Sequence, residues 1–413
     1  SDTPHYENVP FEVPSSWVWC RLEDIAYVAS GSTPDKTCFV ENGVPYIKMY
    51  NLRNQKIDFA YHPQYITEEV HNGKLQRSRT EVGDLIMNIV GPPLGKLAII
   101  PTTLPQANFN QAAVLIRPYK FKEVLVSYLK VYLEEMSEIN SIATRGSAGQ
   151  VNISLTQSQN MRIPIPPLNE VRRIIEEVSK YDILIDSLKQ NITDIQNLIA
   201  YTKSKILDLA IHGKLVPQDP NDEPAIELLK RINPDFTPCD NGHSRKLPQG
   251  WAYCQLSNVL KITMGQSPKG DSLNNKRGIE FHQGKICFSD KFLLESGIFT
   301  NEPTKIAEPN SILLCVRAPV GVVNITKNQI CIGRGLCALT PFEGNVDFYF
   351  YLLQTLQDSF DNQSTGTTFK AISGEIIRNE NIILPPLAEQ QRIVQKIEEL
   401  FHVFDNIQNA LEV

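Results

Sequence analysis

The sequence predicts an α+β fold in which two tandem copies of a mixed domain are separated by long helices. Three observations lead to this prediction. The same motifs occur twice along the 413 residues, each copy alternates short β-branched and aromatic runs with turn residues, and a regular apolar repeat follows each copy. A chain of this length can bury a separate hydrophobic core in each copy.

The internal repeat begins with matching openings. Residues 13–22 (VPSSWVWCRL) align with residues 247–256 (LPQGWAYCQL) at an offset of 234, and the match continues through Gly31/Gly265 and Pro34/Pro268. Such self-similarity identifies the repeating architecture before individual elements are assigned.

The two copies also close alike. Residues 166–174 (PPLNEVRRI) align with residues 385–393 (PPLAEQQRI), and the offset has fallen to 219. The second copy is therefore about fifteen residues shorter inside, and we expect the differences to lie in loops.

Local signals predict several elements within the copies. Asn42-Gly43 before Val44 is a hairpin-type turn signal. Residues 121–136 and 346–360 are helix-like at matching places in the two copies. Each copy therefore contains strands and loops with a few helices.

A long helix is predicted after the first copy. Apolar residues alternate spacings of four and three over five heptads, which is typical of a coiled coil. A helix buried against its own domain is the alternative; the length of the stripe favours a partner helix. The stripe comprises Ile174, Val178, Tyr181, Ile185, Leu188, Ile192, Ile195, Ile199, Thr202, Ile206 and Leu209, and the second copy repeats it at Ile393, Ile397, Leu400, Phe404, Ile407 and Leu411.

Helix-ending signals follow this stripe. Gly213 lies just past its last apolar residues, where a left-handed residue commonly ends a helix. A polar, proline-rich connector follows at 217–224, and then a short helix is expected at 225–232.

Composition excludes several classes of protein. The eight cysteines include no C-x-x-C pair, so we expect neither a metal site nor a disulfide. No apolar run is long enough for a membrane span, and the sequence does not open with a signal peptide, so we expect a cytoplasmic protein. The net charge of −6 argues only weakly against a nucleic-acid partner, because phosphate binding needs one basic face rather than a basic whole.

Catalytic motifs do not appear in the sequence. Residues 91–97 (GPPLGKL) are one residue short of a Walker A loop and have Leu97 where a hydroxyl would bind magnesium. Residues 333–338 superficially resemble a dinucleotide loop but open no helix. We therefore expect no catalytic residue in this chain.

The order of these motifs resembles the specificity subunits of type I restriction-modification enzymes. The resemblance covers nearly the whole chain and rests on four features of the sequence. These are the Pro-x-x-Trp-x-x-x-x-Leu openings, the glycine and proline at Gly31/Pro34 and Gly265/Pro268, the Pro-Pro-Leu-x-Glu-x-x-Arg-Ile helix starts, and residues 207–220 (LDLAIHGKLVPQDP).

The resemblance implies a division of labour. Each target-recognition domain would read one half of a split, asymmetric site in double-stranded DNA. The long helices would pack antiparallel, set the gap between the half-sites and dock two modification subunits. Restriction subunits would complete the nuclease. S-adenosylmethionine, ATP and magnesium would belong to those partners, leaving this chain with no cofactor and no membrane contact.

The resemblance also suggests domain boundaries. The two target-recognition domains are expected at 1–165 and 247–384. A central spacer helix would occupy 166–212, a linker with the short helix 213–246, and a short or truncated C-terminal spacer helix 385–413.

Candidate DNA-binding residues are polar or basic side chains between apolar runs, because such side chains read base edges and bind phosphates. Arg317 and Arg334 stand out as charges within apolar runs, and the alternative for them is an internal ion pair. The first copy supplies Lys48, Asn51, Arg53, Lys74, Arg77, Arg79, Arg145, Ser147, Gln150 and Asn152, and the second Lys269, Asn274, Asn275, Lys276, Arg277, Arg317, Arg334, Thr367 and Lys370.

Two other functions compete with this interpretation. The chain could be the recognition part of a single-chain restriction or methylation enzyme, or a coiled-coil scaffold that binds no nucleic acid. For any single lysine or arginine above, a solvated surface position is the plain alternative.

Overall fold

The fold comes from a computed structural model, which describes residues 9–91, 94–135, 152–238, 247–365 and 370–411. The chain divides into two compact units, Ser1–Leu188 and Lys189–Val413. The division falls within one long helix. The five segments suggested by the sequence, and the boundaries between them, remain a prediction.

The first unit is built on two four-stranded sheets. An antiparallel sheet has the order β2–β11–β8–β9, and a mixed sheet has the order β10–β4–β7–β3. Two further pairs, β1–β12 and β5–β6, complete it. The strands are β1 Val18–Arg21, β2 Ala26–Ser30, β3 Phe39–Val40, β4 Val44–Ile47, β5 Leu52–Arg53, β6 Lys56–Ile57, β7 Tyr65–Ile66, β8 Leu85–Asn88, β9 Leu97–Ile99, β10 Asn108–Phe109, β11 Ala113–Pro118 and β12 Arg162–Ile165.

The second unit repeats this plan. Its antiparallel sheet has the order β14–β22–β19–β20, and its mixed sheet has the order β15–β17–β16–β21–β18. In both units the mixed sheet contains one parallel pair, β4 with β10 and β16 with β21. The strands are β13 Ala252–Gln255, β14 Leu260–Met264, β15 Leu273–Asn274, β16 Ile279–His282, β17 Phe299–Thr300, β18 Ile306–Ala307, β19 Ile312–Cys315, β20 Val323–Ile325, β21 Ile330–Ile332, β22 Leu336–Pro341 and β23 Asn381–Leu384.

The helices follow the same repeat. Short 3-10 turns, among them Met49–Asn51 and Lys285–Cys287, connect some of the strands. The α-helices are α1 Leu22–Ile25, α2 Glu68–Asn72, α3 Lys122–Glu135, α4 Leu155–Gln159, α5 Leu168–Ile211, α6 Ala225–Ile232, α7 Leu256–Val259, α8 Val346–Thr355, α9 Gln357–Gln363, α10 Gly374–Asn379 and α11 Leu387–Leu411.

Each antiparallel sheet is covered on both faces. In β8, Leu85 and Met87 pack with Leu129 of α3, whereas Ile86 between them packs with Phe109 of the mixed sheet. Alternate residues of a strand point to opposite faces, so a strand buried on both sides is apolar throughout. Each unit therefore has three layers: helices, the antiparallel sheet and the mixed sheet. The predicted fold class and internal repeat are confirmed.

A glycine joins the two sheets in each unit. The Gly31 N–H donates to the Ala113 carbonyl at 3.0 Å, and the next residue, Ser32, donates to the Phe109 carbonyl at 3.1 Å. A Cβ on Gly31 would lie 2.1 Å from the Asn110 carbonyl oxygen. Gly265 is equally confined in the second unit, where a Cβ would lie 2.1 Å from the Gly333 carbonyl oxygen. Only glycine permits this close passage between sheets.

Two expectations about local structure were wrong. Asn42-Gly43 does not close a hairpin, because β7 lies between β3 and β4 and pairs with both. Gly43 instead passes close to β7, where a Cβ would lie 2.4 Å from the Ile66 oxygen. The helix expected at 346–360 is two helices, α8 and α9, which meet at Leu356.

The long helix α5 is continuous over 44 residues, as the heptads predict. At ~1.5 Å per residue it is about 66 Å long. It ends as expected: Gly213 has φ +64°, and the Lys214 N–H donates to the Leu209 carbonyl at 2.9 Å. The short helix expected at 225–232 is α6.

The apolar stripe of α5 is buried at its ends and exposed between them. Ile174 packs against the core of the first unit, and Ile206 belongs to the core of the second. The alternative of a helix buried against the domain that precedes it therefore holds only at the N-terminal end of α5. Every residue from 179 to 191 is exposed. Of the predicted stripe, Val178, Ile192, Ile199 and Thr202 are buried or half-buried, whereas Tyr181, Ile185, Leu188, Ile195 and Leu209 are exposed.

Within the second unit, α11 runs antiparallel to the end of α5. The Lys203 ammonium lies 2.6 Å from the Asp405 carboxylate and 5.1 Å from the centre of the Phe401 ring. Gln218, which follows the end of α5, donates to Glu389 at the start of α11 at 3.3 Å. In α11, Ile393 and Ile397 are buried, Leu400, Phe404 and Leu411 are half-buried, and Ile407 is exposed.

A buried carboxylate stabilises the first unit. Asp84 is fully buried and lies 2.6 Å from Nη2 of Arg117 and 2.7 Å from Nζ of Lys122. Hydrogen bonding to Asp84 raises the pKa of Arg117. Glu81 contacts the same two cations, but its side chain is 53% exposed.

We expect Asp84→Ala to lower the free energy of unfolding of the first unit by about 3 kcal/mol, because two partly buried cations lose their buried partner. Glu81→Ala should cost less than about 1 kcal/mol. Urea denaturation with hydrogen exchange at β8 and β11 measures both. Equal losses in the two variants would contradict the assignment.

A second buried carboxylate fastens the linker of the second unit. Glu389 is fully buried, and it accepts hydrogen bonds from Trp251 Nε1 at 2.9 Å and from Gln218. Arg392, one turn further along α11, pairs with Asp222 of the linker. Burial is the main cause that raises the pKa of Glu389 above its ordinary value of 4.5.

Because the folded-state pKa is raised, deprotonation of Glu389 costs stability. The stability that protonated Glu389 contributes is fully present below the ordinary glutamate pKa. It is lost as the pH rises through the folded-state pKa. Glu389→Gln keeps an acceptor for Trp251 and removes the charge. We expect the free energy of unfolding of the wild type, relative to that of this variant, to fall as the pH rises from about 4 to 7.

Urea denaturation over that pH range measures the difference. The exposed Glu399, whose side chain is 62% accessible on the same helix, supplies the control Glu399→Gln. A wild-type minus Glu389→Gln difference that does not change with pH would refute the prediction.

Candidate nucleic-acid interface

In the first unit the candidate residues gather where β4 ends. Lys48 follows this strand, and the 3-10 turn Met49–Asn51 leads into the hairpin β5–β6. Lys48 is half-buried, with its ammonium 5.6 Å from the centre of the Phe39 ring. Asn54 and Gln55 form the hairpin tip with φ of 49° and 56°. Two consecutive positive φ values match the twist of a two-residue hairpin.

Asn51 organises this loop from inside. It is 1% exposed, and its side-chain oxygen accepts from the Lys48 N–H at 2.9 Å. Its side-chain nitrogen donates to the carbonyls of Asp58 at 3.1 Å and Tyr61 at 2.7 Å. Its polar groups are therefore occupied within the protein, and its position suits support of the loop rather than contact with a base.

An aromatic and basic cluster covers the outer side of the same loop. The rings of Tyr50 and Tyr61 are 6.2 Å apart, and both are exposed. The Arg53 guanidinium lies 4.1 Å from the centre of the Tyr61 ring and its Nε 3.9 Å from Asp58. Lys96 lines the same shallow depression as these residues. Cations beside exposed rings are found in nucleic-acid-binding proteins, where the cations attract phosphates and the rings stack on bases that are not paired.

Three further candidates of the first unit lie near α2. Lys74 is exposed. Arg77 is exposed and donates to the Ser32 hydroxyl at 3.2 Å. Arg79 is half-buried and donates to the His71 carbonyl at 3.0 Å and to the Asn72 side chain at 2.6 Å. Lys74 and Arg77 thus present charge to solvent, whereas Arg79 is largely occupied by its own loop.

The loop expected at 145–152 is only partly described. Asn152 is exposed, pairs with Val90 as an isolated bridge, and accepts from the Gly91 N–H at 3.4 Å. Arg145, Ser147 and Gln150 lie outside the described residues.

In the second unit, one group of candidates forms the turn between β15 and β16. The Asn274 side-chain oxygen accepts from the N–H groups of Lys276 at 3.0 Å and Arg277 at 2.9 Å. Asn274 therefore shapes the turn, while the side chains of Asn275, Lys276 and Arg277 are exposed on it. Lys269 is exposed on the loop before β15.

Arg317 and Arg334 are both exposed, and neither forms an ion pair with any residue that the structure describes. The two arginines lie on neighbouring segments of the chain, because the Val316 N–H donates to the Gly335 carbonyl at 3.0 Å. The internal ion pair considered for them is absent from the described chain. Lys370 is exposed and pairs with Asp361 at 2.6 Å, and Thr367 lies outside the described residues.

Hydrogen bonds fasten three loops of the second unit together. Ser267 Oγ donates to the Gln283 side chain at 2.8 Å and accepts from the Arg334 N–H at 3.4 Å. Gly333 N–H donates to the His282 carbonyl at 2.8 Å. The loops after β14, β16 and β21 therefore meet at one edge of the unit.

Sequence reasoning missed several residues of these two edges. Tyr50, Tyr61 and Lys96 belong to the first, and Lys285 and Ile286 to the second. The alternation of aromatic and basic residues from 48 to 61 was an available signal. Ile286 gave no such signal, because an isoleucine beside Cys287 and Phe288 looks like part of a buried strand.

No group of histidine, cysteine, aspartate and glutamate among the described residues could ligate a metal ion. The seven cysteines in those residues are free thiols, and burial raises the pKa of Cys337 to about 12. None of the described helices is long and apolar enough to cross a membrane.

Comparison with known proteins identifies the family. The model of the type I restriction modification DNA specificity domain matches residues 14–197 and 248–413. The first matched segment covers the first copy and the part of α5 up to residue 197, and the second covers the second copy and α11. The chain therefore belongs to the family of DNA specificity subunits of type I restriction-modification systems, which recognise DNA sequence.

Two relatives illustrate this membership. The chain is similar to the putative type I restriction enzyme MjaX specificity subunit of Methanocaldococcus jannaschii, with 28% identity over 94% of this chain and 88% of that one. It is 24% identical to the EcoAI specificity subunit of Escherichia coli, over 98% of this chain and 81% of that one.

Solved structures share the fold. A chain from work on complex assembly and conformational transition of the type I R-M system aligns with a TM-score of 0.61 and 25% identity, over 98% of this chain and 94% of that one. The HsdS subunit from Thermoanaerobacter tengcongensis aligns with a TM-score of 0.55 and 24% identity, over 98% and 92%.

Proposed function

We propose that each unit reads one half of a bipartite, asymmetric site in double-stranded DNA. The observation that carries this proposal is the repetition of one layered scaffold whose loops differ. The edge after β4 offers Arg53, Lys96 and two tyrosines, whereas the edge after β16 offers Lys285, Arg317 and Arg334. Two scaffolds with different polar loops suit two different half-site sequences.

We also propose that α5 and α11 set the gap between half-sites and dock two modification subunits. The uninterrupted α5 supports the role of a spacer, because helix length fixes distance. Its exposed middle supports a docking role, because Tyr181, Ile183, Leu184 and Leu188 are all more than half accessible. Restriction subunits would join that assembly.

The chain would then determine which DNA sequence is bound, and its partner subunits would carry out the catalysis. S-adenosylmethionine, ATP and magnesium would be bound by the modification and restriction subunits. The sequence contains no catalytic motif, which supports this division. Membership in the family of type I specificity subunits supports it as well.

The test is methylation sequencing of host DNA with and without this gene, expressed together with the modification gene of the same system. We expect methylated adenines in a two-part motif separated by a fixed number of unspecified base pairs. A continuous motif, or no motif that depends on this chain, would overturn the proposal.

Within that function we expect Arg317→Ala to abolish or weaken methylation at sites defined by the second half-site, because an exposed arginine is a common partner of guanine. A loss of roughly tenfold or more in affinity corresponds to one good base contact. Competition binding to duplexes that vary one half-site at a time measures this. Assembly with the modification subunits should be unchanged.

Arg231→Ala is the matched control for this experiment. Arg231 is also partly exposed in the second unit, but it is paired with Glu223 at 2.6 Å and Glu343 at 3.1 Å. Unchanged half-site selection by Arg317→Ala, as in the control, would remove Arg317 from the interface.

A further inference from the structure

The two units share a structural position that the sequence alignment does not reveal. In each unit, one strand of the parallel pair is followed, after one or two residues, by a 3-10 turn. These turns are Met49–Asn51 after β4 and Lys285–Cys287 after β16. The central residues of these turns are Tyr50 and Ile286. Tyr50 and Ile286 therefore each lie at the centre of the turn that follows the parallel pair in their own copy, three residues after Ile47 and four residues after His282.

Both central residues are apolar or aromatic and face solvent. Ile286 is 95% exposed, and Tyr50 is 36% exposed. An isoleucine that is almost wholly accessible contributes nothing to a core. A single exposed apolar side chain is common on protein surfaces, so the basic residues on the loops around these two positions are the second observation on which the inference depends.

The turn that carries Ile286 is held in place on both sides. The Phe288 N–H donates to the Lys285 carbonyl at 2.9 Å, and the Leu294 N–H donates to the Cys287 carbonyl at 2.8 Å. Gly335 packs closely against the segment before this turn, because a Cβ on Gly335 would lie 2.5 Å from the Gln283 carbonyl oxygen. Ile286 thus projects from an anchored turn.

Basic residues lie on the loops next to both positions. Lys285 adjoins Ile286, and the loop of Arg334 is joined to Gln283 through Ser267. In the first unit, Tyr50 lines one depression together with Arg53 and Lys96. The Tyr50 hydroxyl donates to the His62 carbonyl at 3.1 Å, which fixes the ring. Asp58 beside Arg53 is the one carboxylate that contacts this part of the described first unit.

The chemistry of this arrangement fits a DNA groove. Cations bind phosphates, and an apolar tip between them reaches base edges, where it meets the thymine methyl group or the face of a base. We propose that Tyr50 and Ile286 make the apolar base contacts of the two half-sites, one through a ring and the other through an aliphatic side chain. This inference rests on the proposed function and names residues that determine its specificity.

Each repeat offers a matched control residue. Tyr119 follows β11 and its N–H donates to the Ile25 carbonyl, and Phe342 follows β22 and its N–H donates to the Val259 carbonyl. They lie at the far ends of the strand pairs β2–β11 and β14–β22 from Gly31 and Gly265. Their exposures are 63% and 53%. Both are thus exposed and apolar but remote from the proposed edges.

The experiment uses the full chain in complex with its modification subunits, with Ile286→Ala and Tyr50→Ala compared with Phe342→Ala and Tyr119→Ala. Binding is measured by fluorescence anisotropy with the duplex found by methylation sequencing, with a scrambled duplex, and with duplexes changed at each base pair in turn. Thermal unfolding of each variant confirms that it is folded.

We expect Ile286→Ala to bind the specific duplex roughly tenfold or more weakly and the scrambled duplex as the wild type does. Its discrimination should be lost at one or two base pairs of one half-site only. Tyr50→Ala should have the same effect confined to the other half-site. The two control variants should behave as the wild type.

Folded variants of Ile286 and Tyr50 that match their controls in affinity and discrimination would overturn this inference and leave the proposed function intact. Equal weakening on specific and scrambled duplexes would also overturn it, because that result indicates a phosphate contact. A wild-type complex that prefers no duplex would overturn the proposed function and this inference together.

Discussion

Each half of this protein depends on one close passage of its backbone. At Gly31, and again at Gly265, the chain leaves the antiparallel sheet and reaches the mixed sheet so tightly that no Cβ fits. The next residue hydrogen-bonds to the parallel pair of the mixed sheet, Ser32 to Phe109 and Gln266 to Ile332. This crossing brings the loops that follow the strands of both sheets to a single edge. Arg53 and Tyr61 of the first unit, and Arg317 and Arg334 of the second, come from these loops.

The scaffold behind that edge is rigid because both faces of its central sheet are covered. Strands β8 and β19 are buried at every position, which leaves no freedom to shift register. The loops can therefore differ in length and composition between the two copies without altering the strands beneath them. A fixed frame with variable loops is the physical basis for two readers of different sequence in one chain.

The sequence was a good guide wherever structure depends on local pattern. The repeat, the continuous α5, the end of that helix at Gly213 and the short α6 all follow from heptad spacing, caps and breakers read along the chain. It was a poor guide to pairing between distant strands. The placement of β7 between β3 and β4 depends on contacts some twenty residues away, which a turn signal at Asn42-Gly43 does not contain. The break at Leu356 was missed because both sides of it are helical.

The sequence predicted which segments form the candidate site better than it predicted which residues of those segments have side chains available to bind DNA. Asn51, Arg79 and Asn274 have the side-chain chemistry of base contacts, yet their polar groups bond within their own loops. Arg317 and Arg334 are exposed and form no ion pair among the described residues, although their apolar neighbours suggested burial. Which polar groups remain available is decided by the folded loop, and composition alone does not carry that information.

The exposed stretch of α5 has a mechanical consequence. From residue 179 to 191 every residue is exposed, so the helix is supported there by its backbone hydrogen bonds and by exposed side-chain pairs such as Lys180 with Glu177 at 2.9 Å. A helical segment of that length without tertiary packing is only marginally stable in water. The stiffness of α5 therefore depends on whether these exposed residues are covered. A molecule that covers the apolar side chains there would suppress fraying as it binds, so attachment and stiffening of the rod would be a single event.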